Sequence, residues 1–315
     1  MNFRAAVMIA VLVGLSSPAS AQPYGYSVNS RGFLPDDQMH LLWRVDLATG
    51  ATEAIGPTGF DKMEALALAP DGTLYGADDA LNTLVTVNTN SGFSSPVGGV
   101  SSNMGVPLQN LDLGMTFACD GTLLVVSAAQ QSLFSASLET GLLTRVGEVG
   151  SLGAPITGIA ARGNQLYGIG QGRDSTDRIV TAAPNLYRID RVSATAELIG
   201  PLGPAAAPYV NAGLEFDAEG RLWALTDRRD GGQPNLFSQI LEIDPASGQA
   251  VRVIDADVVG FESLAIAPTG ACGPVAGTGT AEDLPKIPVN HPFALFALIL
   301  AMVLIAGWTF QAQRR

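Results

Sequence analysis

Three features of this chain predict an all-β fold in which five four-stranded blades close into a ring. The first is a repeat. Residues 63–78 read MEALALAPDGTLYGAD, and 113–127 (LGMTFACDGTLLVVS), 156–168 (ITGIAARGNQLYG), 213–227 (GLEFDAEGRLWALTD) and 261–270 (FESLAIAPTG) follow the same plan. A small-and-apolar strand runs into an Asp-Gly-type turn, and in most copies a second strand follows. The turn glycines Gly72, Gly121, Gly220 and Gly270 lie 49, 99 and 50 residues apart, the 99 spanning two units with Asn164 between them. A period near 50 with several short strands per unit marks a β-propeller.

The second feature is a hairpin in every unit: 41–56 (LLWRVDLATGATEAIG), 84–98 (LVTVNTNSGFSSPVG), 133–147 (LFSASLETGLLTRVG), 186–200 (LYRIDRVSATAELIG) and 241–254 (LEIDPASGQAVRVI). Apolar and polar residues alternate with period two, and a Thr-Gly or Ser-Gly step reverses the chain in most copies. With the first half, each unit has four antiparallel strands, the make-up of a propeller blade. The third feature is how the units are split. The chain enters the ring mid-unit, with 24–29 and the hairpin from Leu41, and leaves it with a lone inner strand, 261–268. Together the two fragments complete one blade, so 261–268 is expected to pair with 24–29 and close the ring. Closure removes the edges that an open array would expose.

The inner strand has its own logic. Aligned on the turn, one column reads Ala65, Gly114, Thr157, Gly213 and Ser263, and the next Leu66, Met115, Gly158, Leu214 and Leu264. Small residues let blades approach at the axis, and large ones on the alternate face fill the space between sheets.

Outside the repeats, the sequence carries address signals. Residues 1–21 (MNFRAAVMIAVLVGLSSPASA) combine Arg4, an apolar stretch over 5–15 and an Ala-Ser-Ala ending, the layout of a signal peptide cleaved before Gln22. Residues 22–270 are the propeller domain and 271–286, rich in Gly, Ala and Thr, a linker. Within 287–315, the 19 residues 292–310 carry no charge and precede Arg314 and Arg315. As a helix they would be ~28 Å long, enough to span a bilayer with the arginines cytoplasmic and the propeller outside. This implies a C-terminal transmembrane helix.

Residues 22–285 hold 13 basic and 29 acidic side chains, a net charge of −16, and the whole chain has two lysines. That excludes nucleic acid as a natural partner, because phosphate contact needs clustered Lys and Arg. The two cysteines, Cys119 and Cys272, are candidates for a disulfide in an oxidising compartment.

Few residues point to chemistry. The histidines are His40, before a hairpin strand, and His291 in the tail; no Gly-rich phosphate loop, HExxH or paired CxxC occurs. Asp46, Asp190 and Asp244 sit a few residues before their reversals, and Asp71 and Asp120 precede Gly in inner turns, places where Asp accepts backbone N–H bonds. The better candidates stand at the start of the inner strands. Glu64 and Glu262 share a column in blades that closure makes neighbours, with Asp112 one place earlier in the next blade. Oxygen ligands converging on a channel mouth can hold Ca²⁺. Longer connections at 30–39, 99–110, 170–184, 201–209 and 228–235 carry Arg173, Asp174, Asp177, Arg178, Arg228, Arg229 and Asp230, and binding surfaces are built on such loops.

Two resemblances follow from these residues. The tail, with Ile287-Pro288, Pro292, the apolar run and the terminal Arg pair, resembles the IPTL-CTERM and PEP-CTERM sorting signals of Gram-negative bacteria, although Val289-Asn290 stand where Thr-Leu is usual. The resemblance implies processing by an exosortase-type transpeptidase; a permanent anchor is the alternative. The LYGxD and LxxID-xxTG phrasing resembles bacterial secreted propellers with NHL-type and gluconolactonase-type repeats. The latter resemblance implies a divalent metal held near the axis by Glu, Asn and Asp. Here Leu113, Ile156 and Ala212 fill the rest of the Glu64 column, and no Asn completes the set. The sequence therefore reads as an exported, surface-displayed or membrane-tethered propeller that binds a protein or glycan without catalysis. Its alternative is a divalent-metal-dependent, lactonase-like hydrolase at the channel mouth.

Overall fold

Strands form where the sequence alternates, and the chain reverses at its Asp-Gly and Thr-Gly steps. The computed structural model describes residues 23–29, 40–106, 111–170, 184–228 and 236–267. Strands β1 (Tyr24–Val28), β2 (Leu41–Asp46) and β3 (Thr52–Pro57) are the outer three of the first blade. The second blade is β4 (Met63–Leu68), β5 (Leu74–Asp78), β6 (Thr83–Val87) and β7 (Ser94–Pro96), and the third β8 (Leu113–Phe117), β9 (Leu123–Ser127), β10 (Ser132–Ala136) and β11 (Leu143–Val146). The fourth is β12 (Ile156–Arg162), β13 (Gln165–Gly170), β14 (Asn185–Ile189) and β15 (Ala196–Pro201), and the fifth β16 (Asn211–Phe216), β17 (Leu222–Asp227), β18 (Gln239–Ile243) and β19 (Ala250–Asp255). Strand β20 (Ala265–Ala267) completes the first blade as its innermost strand, giving the order β20-β1-β2-β3.

This is the five-bladed, four-stranded propeller the repeats predict, closed between its terminal strands. Tyr24 pairs with Ala267, Gly25 with Ile266 and Tyr26 with Ala265, and a further bridge joins Asn29 to Phe261. The pairing is interrupted because Ser263 takes part with its side chain. Its Oγ accepts from Val28 N at 3.2 Å, and its carbonyl accepts from Ser27 Oγ at 2.6 Å. Buried apolar clusters lie between successive blades all around the ring. Val28 and Leu42 pack with Met63 and Leu66, Ala65 with Leu113 and Met115, Val126 with Ile156 and Ile159, Ile169 with Leu214, and Trp223 with Phe261 and Leu264.

Each inner strand is buried along nearly its whole length because blades flank it on both sides. A Cβ added at Gly114 would run into the backbone of Thr157 and Gly158, one at Gly158 into Ala212 and Leu214, and one at Gly213 into Ser263 and Leu264. Backbone therefore meets backbone at the axis, as the small column predicts, with one correction. In the fourth blade the small position is Gly158, not Thr157, and the large one is Ile159, not Gly158. The β12–β13 turn is a residue shorter than its counterparts, pairing Arg162 with Gln165, and a bulge between Ile156 and Gly158 absorbs the difference at Thr157. Two compensating length changes cannot be seen when copies are aligned on the turn alone.

The outer hairpins interlock by the same device. Gly56, Gly98, Gly147 and Gly200, which end the predicted hairpins, each lie against a turn carbonyl of the next blade: Ser91, Thr140, Ser193 and Ser247. The ring closes with roles reversed, Gly50 lying against the Asp255 carbonyl.

Two compact units divide the chain, Met1–Pro274 and Val275–Arg315. The second, like the predicted signal peptide (1–21), the linker (271–286) and Cys272, lies outside the described residues. No helix among the described residues is long and apolar enough to cross a membrane, and the predicted span at 292–310 is not one of them.

Two outcomes follow. Gly114→Ala should destabilise the domain by ~2–3 kcal/mol, since overpacking against backbone cannot be relieved by a rotamer change. Gly72→Ala, where φ is +90° but the space is open, should cost only ~1–2 kcal/mol. Equal losses in urea unfolding would refute the axial contact. Removing 261–267 strips Phe261, Leu264 and Ile266 from the ring and should cost ~5 kcal/mol or more; a truncated domain that melts with the intact one would refute closure as a stabilising element.

Candidate functional site

Antiparallel order places the start of every inner strand at one end of the ring, here called the mouth. Glu64 and Glu262 both reach the axis there. They line a narrow cavity of about 10 Å³, walled by Leu113, Gly114, Met115, Gly158, Gly213 and Ser263 among others. Glu64 is the extra residue of a bulge between Met63 and Ala65, and a bulge re-aims the side chain it carries. The Glu64 side chain is 1 % exposed, and its Oε2 accepts from Leu113 N of the next blade at 3.3 Å. Glu262 is 2 % exposed, and its N–H donates to Val28 O at 3.2 Å. Two carboxyls from neighbouring blades thus meet one cavity, as the sequence columns suggested.

Asp112 is placed differently. It adopts φ +42° just before β8, its carbonyl accepts from Ala128 N, and it is not among the cavity's lining residues. Among the described residues no group of three or more His, Cys, Asp and Glu is arranged to hold a metal. His40, also at positive φ, works through its backbone, donating to Asn29 O and accepting from Thr58 N. Cys119 lies in the β8–β9 turn and is disulfide-bonded; Cys272 lies outside the described residues.

The predicted turn aspartates do turn work, whereas Arg173, Asp174, Asp177, Arg178, Arg229 and Asp230 of the longer connections lie outside the described residues. Asp46 Oδ1 accepts from Ala48 and Thr49, Asp190 Oδ1 from Val192 and Ser193, and Asp244 Oδ1 from Ala246. Backbone N–H bonds hold Asp190 and Asp71 below the usual carboxylate range, and the Ser247 hydroxyl does most for Asp244. Asp120 falls to about 2, chiefly because Arg191 of the next blade donates to it at 2.8 Å. Asp78 departs from this pattern. It ties two mouth segments, accepting from Lys62 N at 2.9 Å and Leu81 N at 2.7 Å, and burial pushes its carboxyl up, with Asp79 and Asp61 adding like charge.

Sequence reasoning missed the deeper carboxyl. Glu215, on β16, is buried one step beyond the cavity's lining and bonds Thr116 Oγ1 of the third blade. Burial raises it to about 8. The one visible signal was a charged residue in a strand otherwise small and apolar. Asp217 was also unread: buried in the following turn, it accepts from Arg221 Nε at 2.7 Å and from Trp223 Nε1 at 2.8 Å.

No protein-family model matches the chain, and no curated protein matches it. Among solved structures, a chain of the nidogen/laminin complex is similar at 13 % identity, with 79 % of this chain and 99 % of that one covered and a TM-score of 0.46. A Bacteroides thetaiotaomicron protein of unknown function is similar at 15 % identity (64 % and 53 % covered, TM-score 0.43), so this chain spans about half its length. Virginiamycin B lyase from Staphylococcus aureus is similar at 14 % identity (74 % and 69 % covered, TM-score 0.40). At these values no site and no activity transfers to this chain.

Proposed function

We propose that this protein is an exported binding module, displayed or tethered outside the cytoplasm, that engages a protein or glycan through the mouth end of its propeller without catalysis. The supporting observation is the asymmetry of the two ends. Opposite the mouth, strands are joined by short turns, as between β4 and β5 (69–73) or β8 and β9 (118–122). The long connections all join strands at the mouth: β1 to β2, β7 to β8, β13 to β14, β15 to β16 and β17 to β18. A rigid scaffold that gathers its variable-length segments on one end is built for recognition. The acidic surface favours partners other than nucleic acid.

A second reading is a divalent-metal-dependent, lactonase-like hydrolase, supported by Glu64 and Glu262 lining one cavity. One experiment separates the two. Shortening 171–183 and 229–235 to Gly-Ser linkers should abolish binding to a glycan array or to isolated cell envelopes and leave the melting temperature in place. Under the hydrolase reading, Ca²⁺ should raise the melting temperature by a few degrees, as ~1–2 kcal/mol of binding linkage would, and Glu64→Gln or Glu262→Gln should remove that shift. Unchanged binding after loop shortening would overturn the first reading, and indifference to Ca²⁺ the second.

The address signals complete the proposal: a signal peptide over 1–21, a single span at 292–310 with Arg314 and Arg315 inside, and a sorting step by an exosortase-type enzyme. Export makes oxidation available, and Cys272 is the partner the sequence offers Cys119, a bond worth ~4–5 kcal/mol in the chain-entropy model. Protein recovered from outside the cytoplasm should begin at Gln22 and resist thiol alkylation until reduced. Leu300→Arg with Leu304→Arg should release it from membranes, each arginine costing ~2.5–3.5 kcal/mol at mid-bilayer. Two freely alkylated thiols, or unaltered membrane association, would count against these parts of the proposal.

A further inference from the structure

One step inward from the cavity floor, the inner strands present a column of Ala67, Thr116, Ala160, Glu215 and Ala265. Four members are small or hydroxylic, and one carries a carboxyl. Thr116 Oγ1 lies 3.2 Å from Glu215 Oε2, and Phe216 N donates to Glu215 Oε1 at 2.9 Å. Thr116 belongs to the third blade and Glu215 to the fifth. These blades are not neighbours, so the bond crosses the axis past Ala160 of the fourth.

Among the described residues, none packed around it is placed to neutralise a charge there; the axial groups nearest along the channel, Glu64 of β4 and Glu262 before β20, are themselves acids. Strand β8 (LGMTF) and strand β20 (AIA) have no ionisable side chain. Strand β12 has only Arg162, whose guanidinium lies 5.5 Å over the Phe216 ring and donates to Gly220 O at 2.8 Å. Strand β13 contributes Tyr167, whose ring packs edge-on against Phe216. Strand β17 has Asp227, paired with Asn211 at the mouth. On the turn after β16, Asp217 is committed to Arg221 and Trp223, and Glu219 to Arg221. A buried carboxylate without a counter-ion is costly enough that the group keeps its proton instead. Hydroxyl and carboxyl can share a hydrogen bond in either direction, so the protonated acid can donate to Thr116 without rearrangement.

We propose that Glu215 is a proton-dependent crossbar, joining the third and fifth blades across the axis while protonated and loosening the cavity floor when it ionises. The floor responds because Met115 and Leu214, which line the cavity, are the chain neighbours of Thr116 and Glu215. Burial, the main cause, raises the group to about 8 from an ordinary value of 4.5. Between these two values the folded chain holds a proton that the unfolded chain has released, so stability falls as pH rises through that window.

The test is thermal unfolding of the mature domain from pH 5 to pH 9, comparing the natural protein with Glu215→Gln. The natural domain should lose melting temperature steadily from pH 5 to about pH 8 and level off above it, while the neutral, isosteric variant stays comparatively level. Amide exchange at Met115 and Leu214, corrected for intrinsic rate, should quicken by about tenfold or more between pH 6 and pH 9 in the natural protein only. Parallel melting curves for the two proteins would overturn the proposal. If the variant does not fold, infrared spectroscopy of the natural domain decides. A protonated carboxyl band that persists at pH 7 and disappears with a midpoint near 8 supports the crossbar, and its absence at pH 7 overturns it.

Discussion

The ring depends on how closely the backbones of its inner strands approach at the axis. Gly114, Gly158 and Gly213 occupy places where a Cβ would collide with the backbone of the next blade. Once the strands meet there, the alternate faces of the blades are drawn together over the apolar clusters between them. Non-directional burial supplies most of the driving force, but it would tolerate looser arrangements. Steric contact at the axis and at the outer glycines sets the spacing at which five blades close.

That geometry creates an unusual electrostatic setting. The turn aspartates at the periphery are exposed or half-buried and accept from nearby backbone amides, which hold Asp71 and Asp190 below the usual carboxylate range. The axial acids are buried among small and apolar walls. Glu64 is steadied by the Leu113 amide, and Glu262 stands on the closing strand, where its backbone is tied to Val28. Glu215 has a hydroxyl and one amide. The same residue chemistry thus serves as a turn clasp at the rim and as a buried polar group at the centre. Solvent access makes the difference.

The two ends of the ring divide the labour. Turns opposite the mouth are short and stereochemically specified, and several form cross-blade ties, including Arg191 to Asp120 and Arg252 to the Ala48 carbonyl. At the mouth, buried side chains such as Asp78, Asn82 and Ser127 anchor the segments that lead into the inner strands. Long connections there lie between the strands and outside the blade ladders, as the proposed recognition role requires.

Much of this was legible in the residues. Period-two alternation and turn chemistry act over a few positions, so blade number, hairpin limits and the clasp role of Asp46, Asp190 and Asp244 could be read locally. The split first blade could be read too, because an unfinished unit at one end needs its complement at the other. The convergence of Glu64 and Glu262 followed from that closure. The fourth blade's register could not be read, since the shortened turn and the bulge at Thr157 cancel in the alignment. Nor could the displacement of Asp112 from the cavity lining, which reflects its left-handed backbone just before β8. The Thr116–Glu215 bond was the least accessible. It joins residues 99 positions apart in non-adjacent blades, and whether they touch depends on the ring's diameter and the rotation of each blade. Local sequence determines which face of a strand is buried; only the closed ring decides which buried groups meet across its axis.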